Sequence, residues 1–167
     1  MRRKSHRKEM FKQVRFIISG MDCAGVVVDV GSSVKRLKVG DAVYGNLGYG
    51  HAFAEYVSGD ESLFALKPTN LSFAEAAAIP LAAETAYEAL FEQGQISKDS
   101  KVFICGGSTG VGLFAIQLAK AVGANVACTS SPRNLDTIKK LGMNEQGKYL
   151  SRQIVQFSFQ VITSSRM

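Results

Sequence analysis

The stretch that decides the fold of this chain is KVFICGGSTGVGLFAIQLAKAVGANVACTSSPRN at residues 101–134. It contains two apolar strand-like runs, a glycine-rich turn and an apolar helical segment. Residues 101–105 form a short apolar run, and the turn at residues 106–112 leads directly into an apolar helical segment. Residues 125–129 supply the second strand. This order is typical of the phosphate-binding half of a dinucleotide-binding unit.

The glycine-rich turn suits a phosphate group for a mechanical reason. A turn this tight needs backbone angles that a side chain forbids, and the phosphates must approach bare backbone amides. The helix that follows points its unpaired N–H groups and the positive end of its dipole at the phosphates. The pattern G-x-G-x-x-G is imperfect, because Thr109 stands where a glycine is expected. A glycine turn in another kind of α/β domain is the alternative.

The end of the second strand indicates which dinucleotide would bind. An NAD site usually has an acidic residue about 20 positions beyond the glycines, whereas residues 129–134 read TSSPRN and contain no carboxylate. The hydroxyl of Ser130 and the guanidinium of Arg133 suit a 2′-phosphate, so the sequence predicts NADPH as cofactor. Alternatively, Ser131 caps the next helix with Pro132 at its first position and Arg133 lies in solvent, and both interpretations can hold together.

The positive charge of the chain is concentrated at its N-terminus. The net charge is +6, and residues 1–15 contain one acid and seven basic residues, so the rest of the chain is neutral. The basic residues are Arg2, Arg3, Lys4, Arg7, Lys8, Lys12 and Arg15. We interpret residues 1–16 as a solvated basic tail, with a targeting segment as the alternative. Since no aromatic or groove-reading motif accompanies the charge, and no apolar run is long enough for a membrane span, we expect neither nucleic-acid binding nor a membrane-spanning segment.

The cysteines indicate a reducing compartment. Cys23, Cys105 and Cys128 each occur in an apolar, strand-like context without a C-x-x-C spacing. We therefore expect each of them to be buried and reduced. A cytoplasmic location follows, and a mitochondrial one stays open.

The region before the turn reads as a small all-β part followed by helices. The predicted strands cover residues 24–30, 41–45, 52–57 and 63–66. In the helical part, Ser72 and Glu75 have the spacing of a capping box, and Pro80 is expected to end the helix that this box begins. A second helix is predicted over residues 85–93, with Gly94 just beyond its end.

The region after the second strand is less regular. A helix is predicted over residues 133–141, ending at Gly142. A third strand should follow in a dinucleotide-binding sheet, but the polar composition of residues 143–152 argues against one there. Residues 153–163 are apolar enough for a strand.

Several motifs in this order resemble those of the medium-chain dehydrogenases and reductases, in their zinc-free branch of quinone and enoyl reductases. GMDCAGVV at residues 20–27 is similar to the G-x-D-x-x-G-V-V strand of that family, and KVGDAVYG at residues 38–45 continues the likeness. AAAIPL at residues 76–81 and FAIQLAK at residues 114–120 match the helices around the nucleotide site. The likeness extends over about residues 17–142.

The resemblance implies an α/β chain with a partial GroES-like β-barrel followed by an incomplete Rossmann domain. We divide the chain accordingly into an unmatched basic tail at residues 1–16, the GroES-like part at 17–83, the Rossmann part at 84–142 and a divergent tail at 143–167. Compared with the family, the chain looks truncated at both ends. A homodimer would be expected if the Rossmann domain were complete.

The resemblance also implies an activity, which is the transfer of a hydride from NADPH to a quinone or an activated carbon–carbon double bond. Zinc-dependent relatives have a metal-binding His-Glu where this chain has Met21 and Asp22, so zinc is not expected. The residues expected at the pyrophosphate are Gly107, Ser108, Thr109, Gly110, Val111 and Gly112. Ser130 and Arg133 are assigned to the 2′-phosphate, and Thr85 to the nicotinamide end of the cofactor.

Some roles stay open at this point. A helix-capping hydroxyl is the alternative role of Thr85, and no catalytic side chain can be named. Two other functions also remain possible. The first is an inactive, truncated nucleotide-binding remnant, and the second is an interaction module that uses the basic tail.

Overall fold

The computed structural model describes residues 18–143 and the backbone of residues 145–148. The chain divides into two compact units, Met1–Leu81 and Ala82–Met167. The α/β class expected from the sequence is confirmed, because one unit contains an antiparallel sheet and the other a parallel sheet with helices.

The sheet of the first unit consists of β1 (Asp22–Val26), β2 (Ala42–Asn46) and β3 (Phe64–Leu66) in that spatial order. All pairs are antiparallel. A 3₁₀ turn at Glu61–Leu63 leads directly into β3. Over the described residues this sheet remains open, as expected of a partial barrel.

Two strand predictions in this unit need correction. The strand predicted to continue to residue 30 ends at Val26. The strand predicted at residues 52–57 is wrong, because this segment forms a loop. The backbone N–H of Ala52 donates to the carbonyl of Gly20, and that of Ala54 donates to Ala52 itself, so neither is available for a regular ladder.

The helices that follow β3 along the chain are α1 (Phe73–Ala77) and α2 (Pro80–Tyr87). The predicted capping box of α1 is confirmed, since the Ser72 hydroxyl accepts from the Glu75 amide and the Glu75 carboxylate accepts from the Ser72 amide. Pro80 begins α2 rather than ending α1, in the first-turn position where a missing N–H costs nothing. The helix predicted at residues 85–93 therefore starts five residues earlier than expected, and it continues as a π-helical turn at Glu88–Gln93.

The sheet of the second unit is parallel and contains β4 (Lys101–Ile104), β5 (Asn125–Ser130) and β6 (Glu145–Lys148). Helix α3 (Gly110–Ala121) connects β4 to β5. A 3₁₀ turn at Pro132–Asn134 and helix α4 (Leu135–Lys140) connect β5 to β6.

The strand β6 corrects the expectation that residues 143–152 contain none. Its backbone pairs with β5, with Ala127 opposite Glu145 and Ser130 opposite Lys148. Backbone pairing to an existing strand can override a weak β-propensity, because that propensity depends on context. The apolar stretch at residues 153–163 lies outside the described residues.

The hydrophobic core of the second unit lies on one face of the parallel sheet. Val102, Ile104, Val126 and Cys128 point to this face and are buried with side chains of the helices. The helical contributors are Ala86, Leu90, Ala115, Ile116, Ala119 and Ile138. The opposite face of β4 is exposed at Lys101 and Phe103. In the part of the chain that is described, no helix has both the length and the apolar character needed to cross a membrane.

Candidate functional site

The glycine-rich turn is attached to β5 by Thr129. The N–H of Gly106 donates to the Thr129 hydroxyl oxygen at 2.8 Å, and the N–H of Gly107 donates to the Thr129 carbonyl at 2.8 Å. Sequence reasoning missed this residue. The signal that could have identified it is the parallel pairing of residues 101–104 with 125–128. Continued by one residue, this register places Thr129 opposite Cys105, next to the start of the turn.

Three glycines of the turn are required for different reasons. Gly106 has φ = +85°, a conformation that side chains disfavour. A Cβ at Gly107 would lie 2.5 Å from Cys128 Sγ, and a Cβ at Gly112 would collide with the Gly106 carbonyl oxygen. Gly110 differs, because a Cβ there would meet its nearest neighbour, the Ala82 Cβ, at an ordinary 3.8 Å. The turn therefore packs tightly against both β5 and the first turn of α3.

Thr109, which departs from the glycine pattern, is the N-cap of α3. Its extended backbone angles, φ = −79° and ψ = 163°, need no glycine. Its hydroxyl donates to the Gly106 carbonyl at 2.8 Å and accepts from the Gly112 amide at 3.1 Å. The side chain thus fixes both the turn and the start of the helix.

The turn leaves three backbone amides at the start of α3 for a ligand. The amides of Gly107 and Gly112 already donate to Thr129 and Thr109. No described residue accepts a hydrogen bond from the amides of Ser108, Gly110 or Val111. Three N–H donors at the positive end of a 12-residue helix fit a phosphate group.

The second predicted contact region, at the end of β5, differs in detail from the expectation. Ser130 is only 4% exposed, and its hydroxyl donates to the Ser131 carbonyl at 3.2 Å. Ser131 occupies the N-cap position before Pro132, as the alternative interpretation predicted, but its side chain makes no capping hydrogen bond. Arg133 is exposed in the same 3₁₀ turn.

Thr85 lies inside α2, which begins at Pro80 and ends at Tyr87. The alternative that its hydroxyl caps a helix is therefore wrong, since a capping residue flanks the helix. The residue is half-buried. Ala82, one turn before it, is the nearest neighbour that a side chain at Gly110 would meet, so this part of α2 lies beside the N-terminus of α3.

The cysteines do not share one environment. Cys128 is buried, Cys23 is half-buried, and Cys105 is exposed, so the expectation of three buried thiols is wrong for Cys105. Burial raises the pKa of the Cys23 and Cys128 thiols, and the Asp22 carboxylate raises that of Cys23 further. Both groups are therefore held in the thiol form at neutral pH.

The Asp22 carboxylate, at the position where zinc-dependent relatives have a ligand, makes a structural contact. Its Oδ1 accepts a hydrogen bond from the Leu81 amide at 2.8 Å. Among the side chains that the structure describes, no three histidines, cysteines, aspartates or glutamates are grouped as a metal ion would need.

Comparison with known proteins identifies relatives of the chain. Residues 2–69 match the family described as Alcohol dehydrogenase GroES-like domain. The chain is 51% identical over 136 residues to a 2-methylene-furan-3-one reductase of Solanum lycopersicum, an alignment that covers 75% of this chain and 34% of that protein. It is 42% identical over 148 residues to an NADPH-dependent alkenal/one oxidoreductase, chloroplastic, of Arabidopsis thaliana, with coverage of 82% and 38%.

Solved structures agree with these relatives. The quinone oxidoreductase from Coxiella burnetii superposes with a TM-score of 0.75 and 35% identity, over 85% of this chain and 45% of that one. The CurK enoyl reductase superposes with a TM-score of 0.74 and 32% identity, over 78% and 39%. The chain thus spans less than half the length of each of these four proteins.

Proposed function

We propose that the chain belongs to the medium-chain dehydrogenases and reductases, in the branch of the quinone and enoyl reductases, and that it forms the NADPH-binding part of such an oxidoreductase. The reaction would be reduction of a quinone or an activated carbon–carbon double bond without zinc. The observation that carries this proposal is the group of three amides at the start of α3, those of Ser108, Gly110 and Val111, from which no described residue accepts a hydrogen bond. The relatives named for NADPH, alkenal and quinone chemistry support it.

The residues of the turn would bind the pyrophosphate through the backbone. Ser108, Gly110 and Val111 would donate their amides. Gly107 and Gly112 would hold the turn in place, because without a Cβ they pack against Cys128 and the Gly106 carbonyl. Thr109 keeps this arrangement rigid before any ligand arrives. A rigid arrangement loses less conformational entropy when the cofactor binds.

The choice of NADPH over NADH would depend on the surface at the end of β5. Arg133 is exposed and offers a planar, permanently charged donor for a 2′-phosphate. Ser130, assigned to this group from the sequence, is buried and would act indirectly by holding Ser131. The Ser131 hydroxyl, which is not used for capping, would then contact the phosphate beside Arg133.

The chemical step would divide between cofactor and protein. The reduced nicotinamide, when bound, supplies a hydride. Thr85 would contact that end of the cofactor from α2, and the protein would orient the acceptor and exclude water around it. Homodimer formation and a cytoplasmic location stay predictions.

Cofactor binding to the full chain and to Arg133→Ala tests the proposal. We expect Arg133→Ala to raise the Kd for NADPH by about tenfold, the equivalent of one charge-assisted hydrogen bond, and to leave the Kd for NADH unchanged. Lys140→Ala, which removes another exposed positive charge from the same connection to β6, is the matched control. Equal effects of both variants, or tighter binding of NADH than NADPH by the wild type, would contradict the assignment.

Turnover distinguishes the enzyme from an inactive nucleotide-binding remnant. The wild-type chain is mixed with NADPH and a simple quinone, and the loss of NADPH absorbance is followed. Oxidation that depends on the quinone supports the reductase. Tight NADPH binding without oxidation, in a chain with intact circular dichroism, supports the remnant.

A further inference from the structure

A series of hydrogen bonds connects the end of β5 to the first turn of α3. It begins at the Thr129 hydroxyl, which accepts from the Gly106 amide at 2.8 Å. The Gly106 carbonyl accepts from the Thr109 hydroxyl at 2.8 Å and from the Thr109 amide at 3.0 Å. The Thr109 hydroxyl in turn accepts from the Gly112 amide at 3.1 Å. The series therefore ends at the helix terminus whose amides are proposed to bind the pyrophosphate.

Thr129 is the member of this series that lies outside the turn and its helix. Its hydroxyl and its carbonyl hold two consecutive amides of the turn, those of Gly106 and Gly107, each at 2.8 Å. A glycine has more backbone freedom than any other residue. The two hydrogen bonds to Thr129 therefore restrict the turn at the position where it could otherwise move most.

Thr129 itself is placed by the sheet, because β5 is the middle strand of the three that the structure describes in the second unit. It lies opposite Gly147 of β6. Its neighbours along the strand, Cys128 and Ser130, are 0% and 4% exposed. A side chain on a paired strand is held more precisely than one on a loop. Thr129 is thus a fixed point from which the turn can be held.

The two hydrogen bonds from the turn to Thr129 make different demands on the residue at this position. The bond from Gly107 goes to a main-chain carbonyl, which every amino acid has. The bond from Gly106 goes to a side-chain hydroxyl, in a half-buried setting. The substitution Thr129→Val keeps the carbonyl and nearly the same size but removes the hydroxyl. It therefore takes the acceptor away from Gly106 alone.

We propose that Thr129 is a positioning residue for cofactor binding, which acts through the turn rather than by contact with the cofactor. This inference rests on the proposed function. The Thr129 hydroxyl holds Gly106, and Gly106 holds Thr109 at the start of α3, so the amides there are fixed before a ligand binds. Since the pyrophosphate is common to NADPH and NADH, Thr129 governs the affinity for both. Arg133, further along the chain, governs the choice between them.

Cofactor binding to Thr129→Val tests this role. We expect the Kd for NADPH and the Kd for NADH each to rise about fivefold or more, with their ratio unchanged, because the turn loses one half-buried hydrogen bond. Thr129→Ser keeps a hydroxyl and should bind both cofactors within about twofold of the wild type. The matched control, Thr137→Val, makes the same change at an exposed position of α4 and should leave both Kd values unchanged.

Three results of this experiment would overturn the role of Thr129. The first is an unchanged Kd for both cofactors in Thr129→Val. The second is a rise in the Kd for NADPH alone, which would mean that the hydroxyl contacts the 2′-phosphate. The third is an equal loss of affinity in Thr129→Val and Thr129→Ser, which would mean that the hydroxyl is not what the turn needs.

Hydrogen exchange of single amides in the cofactor-free chain, followed by NMR, tests the same role without a ligand. In Thr129→Val we expect the Gly106 amide to exchange about tenfold faster or more, and the Gly107 amide to stay within about threefold of the wild type. Equal acceleration of both amides would indicate general loosening, and no change at Gly106 would indicate that the hydroxyl does not hold the turn. Either result overturns the proposal for Thr129.

The two experiments separate this inference from the proposed function. A wild-type chain that binds neither NADPH nor NADH would refute the proposed function, and with it any role of Thr129 in cofactor binding. A wild-type chain that binds NADPH, together with a Gly106 amide that is indifferent to Thr129→Val, would refute the role of Thr129 alone.

Discussion

Individual residues of the glycine-rich turn have separate tasks, although the sequence pattern treats them as one motif. Gly106 supplies a backbone angle, while Gly107 and Gly112 supply space. Thr109 supplies a cap that a glycine could not. A substitution in the turn should therefore have an effect that depends on its position rather than on the number of glycines left.

Gly107→Ala tests this difference most directly. The added Cβ would lie 2.5 Å from Cys128 Sγ and 2.9 Å from Cys128 Cβ. We therefore expect a loss of about 1–3 kcal/mol of unfolding free energy, as in other overpacked cores. Denaturant unfolding measures it.

Gly110→Ala is the matched control for this prediction, because the space at that position is open. Its stability should stay within about 1 kcal/mol of the wild type. Cys128→Ala should recover part of the loss in a double-mutant cycle, since it removes the closest atom. Equal stability of the two glycine-to-alanine variants would contradict the packing argument.

Among the secondary-structure elements, helices α1 and α2 are capped by residues at very different distances along the chain. Helix α1 is capped by Ser72 and Glu75, three positions apart in sequence. Helix α2 has its second amide, that of Leu81, capped by Asp22 on β1. Only the first kind of cap can be recognised from sequence spacing, because the second depends on how the chain folds back.

The capping box makes the stability of the chain depend on pH in a defined direction. Hydrogen bonds from the Ser72 hydroxyl and then the Ser72 amide lower the pKa of Glu75 below its ordinary 4.5. The ionised form therefore stabilises the fold at neutral pH, and this contribution is lost as the pH falls through the lowered pKa. We expect Glu75→Gln to be less stable than the wild type at pH 7, with the difference disappearing in acid.

Denaturant unfolding between pH 7 and pH 3 measures this effect. In a Ser72→Ala background the pH-dependent part of the Glu75→Gln effect should shrink, because the largest cause of the lowered pKa is gone. A stability difference between the wild type and the Glu75→Gln variant that stays constant over this range would contradict the expectation.

For the chain as a whole, the two units differ in the size of their described cores. Among the described residues, the first unit buries the apolar side chains Val43, Leu47 and Ala76, whereas the second buries a cluster of twelve. Hydrophobic burial dominates folding stability. The first unit should therefore open more easily than the second.

Native-state hydrogen exchange of the full chain tests this order. We expect the amides of β2 to exchange with an opening free energy about 2 kcal/mol or more below that of β5, since one fully buried Val or Leu contributes about 1.5–3 kcal/mol. Exchange can be followed on peptides that contain Ala42–Asn46 and Asn125–Ser130. Equal protection of the two strands would indicate a single cooperative unit.

Local patterns were sufficient to predict β4, the glycine-rich turn, α3, β5 and the capping box at Ser72. Each is specified by residues within a few positions of one another, through backbone angles, capping geometry and apolar periodicity. For the same reason the sequence indicated a phosphate-binding turn and its relation to the quinone and enoyl reductases.

Contacts between residues that are far apart in the sequence explain the structure predictions that were wrong and the site residues that were missed. Residues 52–57 have the composition of a strand, but their amides meet residues 19 and 20 instead of a ladder. The polar residues of β6 pair with β5, and Cys105 is exposed although its setting is apolar. Thr129 and Cys128 contact the glycine-rich turn from a neighbouring strand. Strand pairing and burial depend on residues that are distant in the sequence and become neighbours only when the chain folds. They therefore cannot be predicted from one stretch of sequence alone.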